Sequence, residues 1–468
     1  MKNNQLPKGS VLTLTIIFLA ALIDGLDVSI VTVALPTMTL DMGITLSQGS
    51  WFVFSYVLGL AALLLPMGKM AKNHRVKRFM VFGTALFGIS SLMCGLSDNF
   101  WMLILFRLIQ GAAAAMMSSV LPSMIVNMLP IDRKGLGISI MGGATGAALI
   151  AGPVLGGILT SALSWHWIFF INIPLCALII VLAVIHIPND SSPDPEKDPT
   201  HIGGISAMVF IGAVLTILED VGDPHLQVEM RIICAILIAI SLPTLVWSIR
   251  RDARRAVIAP QILVNKEYLL VGASFLLCTI VVAGATYLLP YLLQDFWLLS
   301  PFNSSLLLSV ISVAMMIVVI PVGYLCDRYG CKVPAMMAII MRALFCILMV
   351  IMIAGHVEPI LLLIPLVAFG ISHAFSGTAQ PTRMIHHSTP GYEDESTNFM
   401  MVINYVASAL GCVFFAMIYS ITTASTASVS TPEDLATGFT ANMWFSLILL
   451  ALAMVCTLVV KNKIVKKE

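Results

Sequence analysis

Long apolar runs separated by short polar segments make up most of this chain. Fourteen runs are long enough for helices, at about 11–35, 47–69, 77–97, 100–123, 134–162, 166–187, 202–219, 229–249, 267–291, 303–325, 333–354, 359–380, 396–422 and 438–460. An α-helix rises 1.5 Å per residue, so about 20 apolar residues cross a bilayer. The runs are continuous and do not alternate at every second position, which excludes the strands of a membrane barrel. The pattern predicts an all-α polytopic membrane protein.

Composition narrows this further. The chain is 59% hydrophobic and 10% charged, with mean hydropathy +0.98, whereas a soluble domain is about 45–50% apolar and about 25% charged. The net charge of +1 and the lack of a basic–aromatic patch give no sign of a nucleic-acid partner. The 9 cysteines lie mostly within apolar runs and show no CxxC spacing. They read as small core residues, neither disulfides nor metal ligands. The first apolar run is too long for a signal peptide, lacks a small-residue cleavage site and carries two aspartates.

Charge bias sets the expected orientation. With the N-terminus inside, the cytoplasmic side receives Lys69, Lys72, Arg75, Lys77, Arg78, Arg133, Lys134, Arg250, Arg251, Arg254, Arg255, Arg328, Lys332, Arg383 and the Lys461–Lys467 tail, while the outside receives only Arg231. This is the positive-inside pattern of a multi-pass plasma-membrane protein with both termini cytoplasmic. Basic loops after the second and the tenth helix, Gly68–Arg78 and Gly323–Lys332, mark a weak repeat of about six helices. The expected division is a six-helix bundle over 1–188, linkers with two inserted helices over 189–266, and a second six-helix bundle over 267–468. Repeated halves around a midplane site are a build common among secondary transporters.

The first helix holds the main candidate chemistry. Asp24 and Asp27 are three residues apart and share a helix face. A charge at membrane depth costs at least ~2.5–3.5 kcal/mol, so it normally faces protein or water. Two readings stand: structural ties to neighbouring helices, or a protonation or cation site. Arg107 lies about 7 residues from the outer end of the fourth helix and Asp27 about 8 from that of the first, so both are expected roughly 10–12 Å below the surface and able to pair. Asp24, about 17 Å deep, is the candidate substrate-facing carboxylate. Pro153 permits a bend in the glycine-rich fifth helix, whose small residues also suit close packing. Arg342 and His373 lie within later helices, as cavity-lining or packing residues. His386–His387 with Glu393–Glu395 lack the spacing of metal ligands.

Several motifs then converge on one family. Leu26–Asp27 with Ile30, Val31 and Val33–Pro36, Arg107–Gly111, Gly152–Gly157, Trp165–Pro174 and the Gly323–Lys332 loop resemble, in order, motifs of the fourteen-helix drug:proton antiporter branch of the major facilitator superfamily. The resemblance implies the major facilitator fold, two six-helix bundles plus two extra inserted helices. It implies proton coupling by Asp27 and Arg107, and Gln110, Tyr287 and Tyr291 join Asp24 as expected substrate contacts. Gating would fall to Gly152, Pro153, Gly156 and Gly157, and to the loop residues Asp327 and Arg328. Two departures stand out. Ala148 occupies a glycine position of the fifth-helix pattern, and Lys72 and Arg75 replace an aspartate and a glycine in the first basic loop. The matching helix start carries Glu393–Glu395, so a cytoplasmic latch of reversed polarity, Lys72 and Arg75 against Glu395, is expected.

The function expected on these grounds is proton-coupled export of small amphiphilic or cationic compounds by a monomer in the bilayer, with protons and the small molecule as its partners. No cofactor and no nucleic acid are expected, and the chain contains no P-loop sequence. A metabolite importer of the same fold is the nearest alternative. A polytopic membrane enzyme is the other, and no nucleophile–base pair or acidic cluster supports it.

Overall fold

The structure, a computed structural model, describes residues 8–71, 76–129, 134–190, 201–222, 228–251, 259–355, 357–389, 392–423 and 432–461. Among them the helices are α1 Lys8–Met42, α2 Leu46–Ala71, α3 Val76–Gly95, α4 Phe100–Met128, α5 Lys134–Ala162, α6 Trp167–Phe170, α7 Asn172–His186, α8 His201–Gly222, α9 Val228–Arg251, α10 Pro260–Val264, α11 Lys266–Tyr291, α12 Pro301–Tyr329, α13 Lys332–Ala354, α14 Leu363–His386, α15 Glu393–Thr423 and α16 Pro432–Val459. A π-helical turn, Leu292–Phe296, extends α11, and a 3-10 turn, Pro359–Leu362, leads into α14. Each of the fourteen apolar runs is helical, the sixth of them as two elements. Among the described residues 12 helices are long and apolar enough to span a membrane, while α2 and α8 contribute only the shorter apolar stretches Gln48–Leu64 and Ile202–Val214.

Local chemistry explains most of the boundaries. Asn99, Asn265 and Ser300 cap α4, α11 and α12 by accepting backbone N–H bonds from Trp101, Tyr268 and Asn303. Gly330 ends α12 at φ 78°, a left-handed conformation that a side chain would strain. Two boundaries depart from the pattern. The first helix runs past Leu35 to Met42, carrying Pro36 within it. The expected sixth helix is divided into α6 and α7 at Ile171 without leaving helical geometry, since Ile171 keeps φ −61° and ψ −24°; Pro174 has no N–H to give the carbonyl of Phe170, so one helical hydrogen bond is missing there.

Packing repeats along the chain. In the first half α1 lies on α5, α2 on α4, α3 on α4 and α7, and α1 on α7; in the second, α11 lies on α15, α12 on α14, α13 on α14 and α16, and α11 on α16. The halves meet through α2 with α15 and α5 with α12, and α8 packs against both α2 and α15. Large apolar side chains such as Ile185, Ile232, Ile317, Ile320 and Ile448 face outward, as a lipid-facing surface requires.

Candidate functional site

The site begins with two close helix crossings. Gly111 on α4 abuts the backbone of Tyr56 on α2, and Gly59 on α2 abuts that of Leu108. Backbones this close leave no room for a Cβ, and the crossing brings Arg107 beside Tyr56. On the other flank, Gly152 and Gly156 of α5 lie against Ser29 and Ile30 of α1, and the Ser29 hydroxyl donates to the Ala148 carbonyl at 3.0 Å. A Cβ on Gly25 would come within 2.9 Å of the Ala148 methyl. The glycine absent from α5 at position 148 is thus matched by one on α1.

Held between these crossings, Asp27 sits in a fully buried polar cluster. Arg107 Nη1 forms an ion pair with Asp27 Oδ2. Gln110 Nε2 donates to Asp27 Oδ1 at 2.8 Å and to Ser91 Oγ at 2.7 Å. Asn172, placed at the α6–α7 junction, donates to the same Asp27 oxygen at 3.1 Å. Arg107 also donates to Gln110 Oε1 at 2.8 Å and, through Nε, to the Phe52 carbonyl at 2.8 Å. Its guanidinium lies 4.4 Å from the Tyr56 ring centroid. Two polar atoms of this cluster have no partner, the donor Arg107 Nη2 and the acceptor Asn172 Oδ1. One carboxylate and one guanidinium leave the cluster neutral.

Asp24 is one turn away and differs in kind. It is only partly buried and is held by three hydroxyls: Tyr56 at 2.6 Å, Ser118 at 3.1 Å and Tyr405 at 3.4 Å. No cation pairs with it among the described residues. Tyr405 comes from α15, so Asp24 is also a point of contact between the halves. Tyr56 joins the two carboxylates, its hydroxyl on Asp24 and its ring on Arg107.

Other expected site residues lie elsewhere. Gln110, expected to face substrate, is wholly buried against Asp27. Tyr287 and Tyr291 are buried with their rings 5.8 Å apart, and the Tyr291 hydroxyl points at Gly49 beside the α1–α2 turn, away from Asp24. Gly157 faces Ser305 of α12, and Gln294 donates to the Val33 carbonyl at 3.2 Å. These contacts join the halves at the end remote from the chain termini. Pro153 is buried within α5. Because α1 ends at Met42, Asp27 is 15 residues from that end, about 22 Å along the axis; the 10–12 Å depth holds only along α4. Arg328 is exposed, 5.4 Å from the Tyr329 ring. Lys72, Arg75 and Arg133, and the side chains of Asp327 and Glu395, lie outside the described residues. Tyr56, Ser91, Ser118 and Tyr405 escaped the sequence reading, since single hydroxyls in apolar helices carry no spacing signal. Asn172 lay within a family motif, but its bond to Asp27 joins residues 145 positions apart.

Comparison with known proteins bears on the family and the fold. Residues 17–416 match the model of the Major Facilitator Superfamily. The multidrug export protein EmrB of Haemophilus influenzae is 28% identical over 291 residues, 61% of this chain and 56% of that protein, so the matched part spans little more than half of it. The riboflavin transporter RibZ of Clostridioides difficile is 25% identical over 412 residues, 87% of this chain and 88% of that one. Among solved structures, a bacterial homologue of the human lysosomal transporter Spinster, inward-facing and unoccupied, superposes with a TM-score of 0.66 at 13% identity, covering 97% of this chain and 98% of that one. A family match over most of the chain, the repeated helix packing and a buried carboxylate cluster between crossing helices lead to one assignment: the chain is a transporter belonging to the Major Facilitator Superfamily.

Proposed function

We propose that this transporter exports small amphiphilic or cationic compounds in exchange for protons. The observation that carries the reading is the pair of unlike carboxylates on α1. Asp27 is buried and neutralised by Arg107, whereas Asp24 is partly accessible and has only hydroxyl partners. Protonating Asp27 strands the Arg107 charge in a dry core, a costly state that a change of conformation relieves. Asp24 offers a cationic substrate its missing counter-charge. The two six-helix bundles, 1–188 and 267–468, rock about this site, with 189–266 as the insert, and the basic loops and both termini face the cytoplasm. The fourteen-helix drug:proton antiporter resemblance and the EmrB relative support export over import.

Purified protein in liposomes, with an imposed pH gradient and ethidium as probe, tests the reading. Wild type should move ethidium against the proton gradient, and Asp27→Asn should bind it without gradient-driven movement. Normal gradient-driven transport by Asp27→Asn would remove Asp27 from the mechanism. Similarity to RibZ over nearly the whole chain favours a second reading, movement of a metabolite. Saturable riboflavin transport without ethidium transport in the same liposomes would establish that reading instead.

A further inference from the structure

Three arginines are buried among the described residues, Arg107, Arg342 and Arg383. Arg107 has Asp27. Arg383 donates to the Thr457 and Val460 carbonyls, each at 3.0 Å, at the C-terminal end of α16, where the helix dipole favours a cation. Arg342 has neither. It lies 10 residues into the 23-residue α13, about 15 Å from its start, and is fully buried. Its Nη1 donates to the Cys278 carbonyl at 3.1 Å and its Nη2 to the Ser372 carbonyl at 3.4 Å. Both carbonyls belong to helix interiors, and Nε has no partner. A guanidinium at this depth is expensive unless a negative group faces it.

The surroundings are rich in donors and poor in strong acceptors. Among the described residues the Gln380 amide donates to the Cys278 thiol, at 3.3 Å. His373 follows Ser372, whose carbonyl Arg342 reaches, and Cys346 lies one turn on from Arg342 in α13. No carboxylate pairs with Arg342 among the described residues. Phe345 and Phe369 stack 4.4 Å apart on the flanking turns of α13 and α14, an apolar wall unsuited to a multiply charged or strongly hydrated ion. His373 is partly accessible, and at Gly377, four residues on along the same face of α14, a Cβ would meet nothing within 4 Å.

We propose that Arg342, with His373 and Gln380 beside it, forms a binding site for one small monovalent anion, a halide or a carboxylate. It supplies in the second half the counter-charge that Asp27 supplies in the first. The anion comes either free from solution or as the carboxylate of a transported molecule.

Thermal unfolding of the purified full-length protein in detergent tests this without reference to proton coupling, so failed export and a failed anion site are separately visible. The probes are chloride and acetate, titrated at constant ionic strength against methanesulfonate, and a rhodamine with a free carboxylate against its methyl ester. Saturable stabilisation by chloride or acetate assigns a free anion; saturable stabilisation by the rhodamine acid and not by its ester assigns a substrate carboxylate. Either midpoint should weaken about tenfold or more in Arg342→Gln, and less in Arg342→Lys, which keeps the charge but loses the fork geometry. Should Arg342→Gln not fold, Arg342→Lys and His373→Phe carry the comparison. If none of the probes stabilises wild type, or if stabilisation is equal in wild type and the Arg342 variants, the guanidinium is only a tie between α11, α13 and α14.

Discussion

Asp27 and Arg107 are both fully buried and neutralise each other, and this governs what substitution does. Removing one member of a buried pair costs about 3–5 kcal/mol, while removing both together costs far less. Asp27→Asn should therefore fold with a clearly lowered unfolding temperature, and the double variant Asp27→Asn/Arg107→Gln should recover most of that loss. Neither should couple transport to a pH gradient. Equal stability of the single and double variants, read by thermal unfolding in detergent, would show that the charges do not depend on each other. Asp24 has hydroxyl partners only, so Asp24→Asn should weaken binding of cationic substrates more than of neutral ones. Tyr56→Phe keeps the ring against Arg107 and deletes the donor to Asp24; its cost should fall on cation affinity, with the unfolding temperature little changed. A large loss of stability in Tyr56→Phe would mean that the hydroxyl is a structural tie.

At the scale of elements, the α1–α5 contact is set by small residues on alternate sides. Gly25 faces Ala148, and Gly152 faces Ser29. Gly25→Ala brings two methyls to 2.9 Å, an overpacking of the kind that costs about 1–3 kcal/mol. Adding Ala148→Gly should restore transport and stability, and a double variant as impaired as the single would place the α1–α5 contact elsewhere. A second element-level tie joins α3 to the segment after α7. Asp190 accepts from the backbone N–H groups of Lys77 and Arg78 at 2.9 and 3.0 Å, capping the start of α3 from a distant part of the chain. Asp190→Ala should lower stability by about 1 kcal/mol, as loss of a helix cap does, with Asp190→Asn closer to wild type in the same unfolding measurement.

For the whole molecule, the contacts of Gly157 with Ser305, Gln294 with Val33 and Tyr291 with Gly49 hold the halves together at the end remote from the termini. Under the proposed topology that end faces outward. A cysteine replacing Leu163, which is 59% exposed, should react with an impermeant thiol reagent on intact cells, and one replacing Ser388 should not. The opposite pattern would invert the proposed orientation. The proposed alternating access calls for a latch at the cytoplasmic end, and the sequence expectation there is one of reversed polarity, Lys72 and Arg75 against Glu393–Glu395, whose side chains lie outside the described residues. One exposed pair contributes only ~0.2–1 kcal/mol, so several must act together. Lys72→Glu should lower transport and Glu395→Lys should restore part of it; a double variant no better than the product of the single effects would mean the charges never meet.

Continuous apolar runs of bilayer length admit only helices, so the all-helical membrane class could be read from residue order alone, while 12 of the fourteen expected spans are long and apolar enough to cross among the described residues. Asp27 and Arg107 were legible for the same reason: a charge in such a run needs a partner, and few were available. Helix ends were less so. Pro36 lies within α1, which runs on to Met42, and the sixth run is divided at Ile171 although that residue keeps helical angles, because the cost of a proline depends on what else holds the backbone around it. The surroundings of the site required three dimensions. Tyr56, Ser91, Asn172 and Tyr405 converge from α2, α3, α7 and α15, and the pairing of Gly25 with Ala148 spans two helices. Residue order determined which groups this protein had to bury. The tertiary structure decided which of them found a partner, because hydrogen bonds act over about 3 Å and only the packed helices bring such distant residues that close.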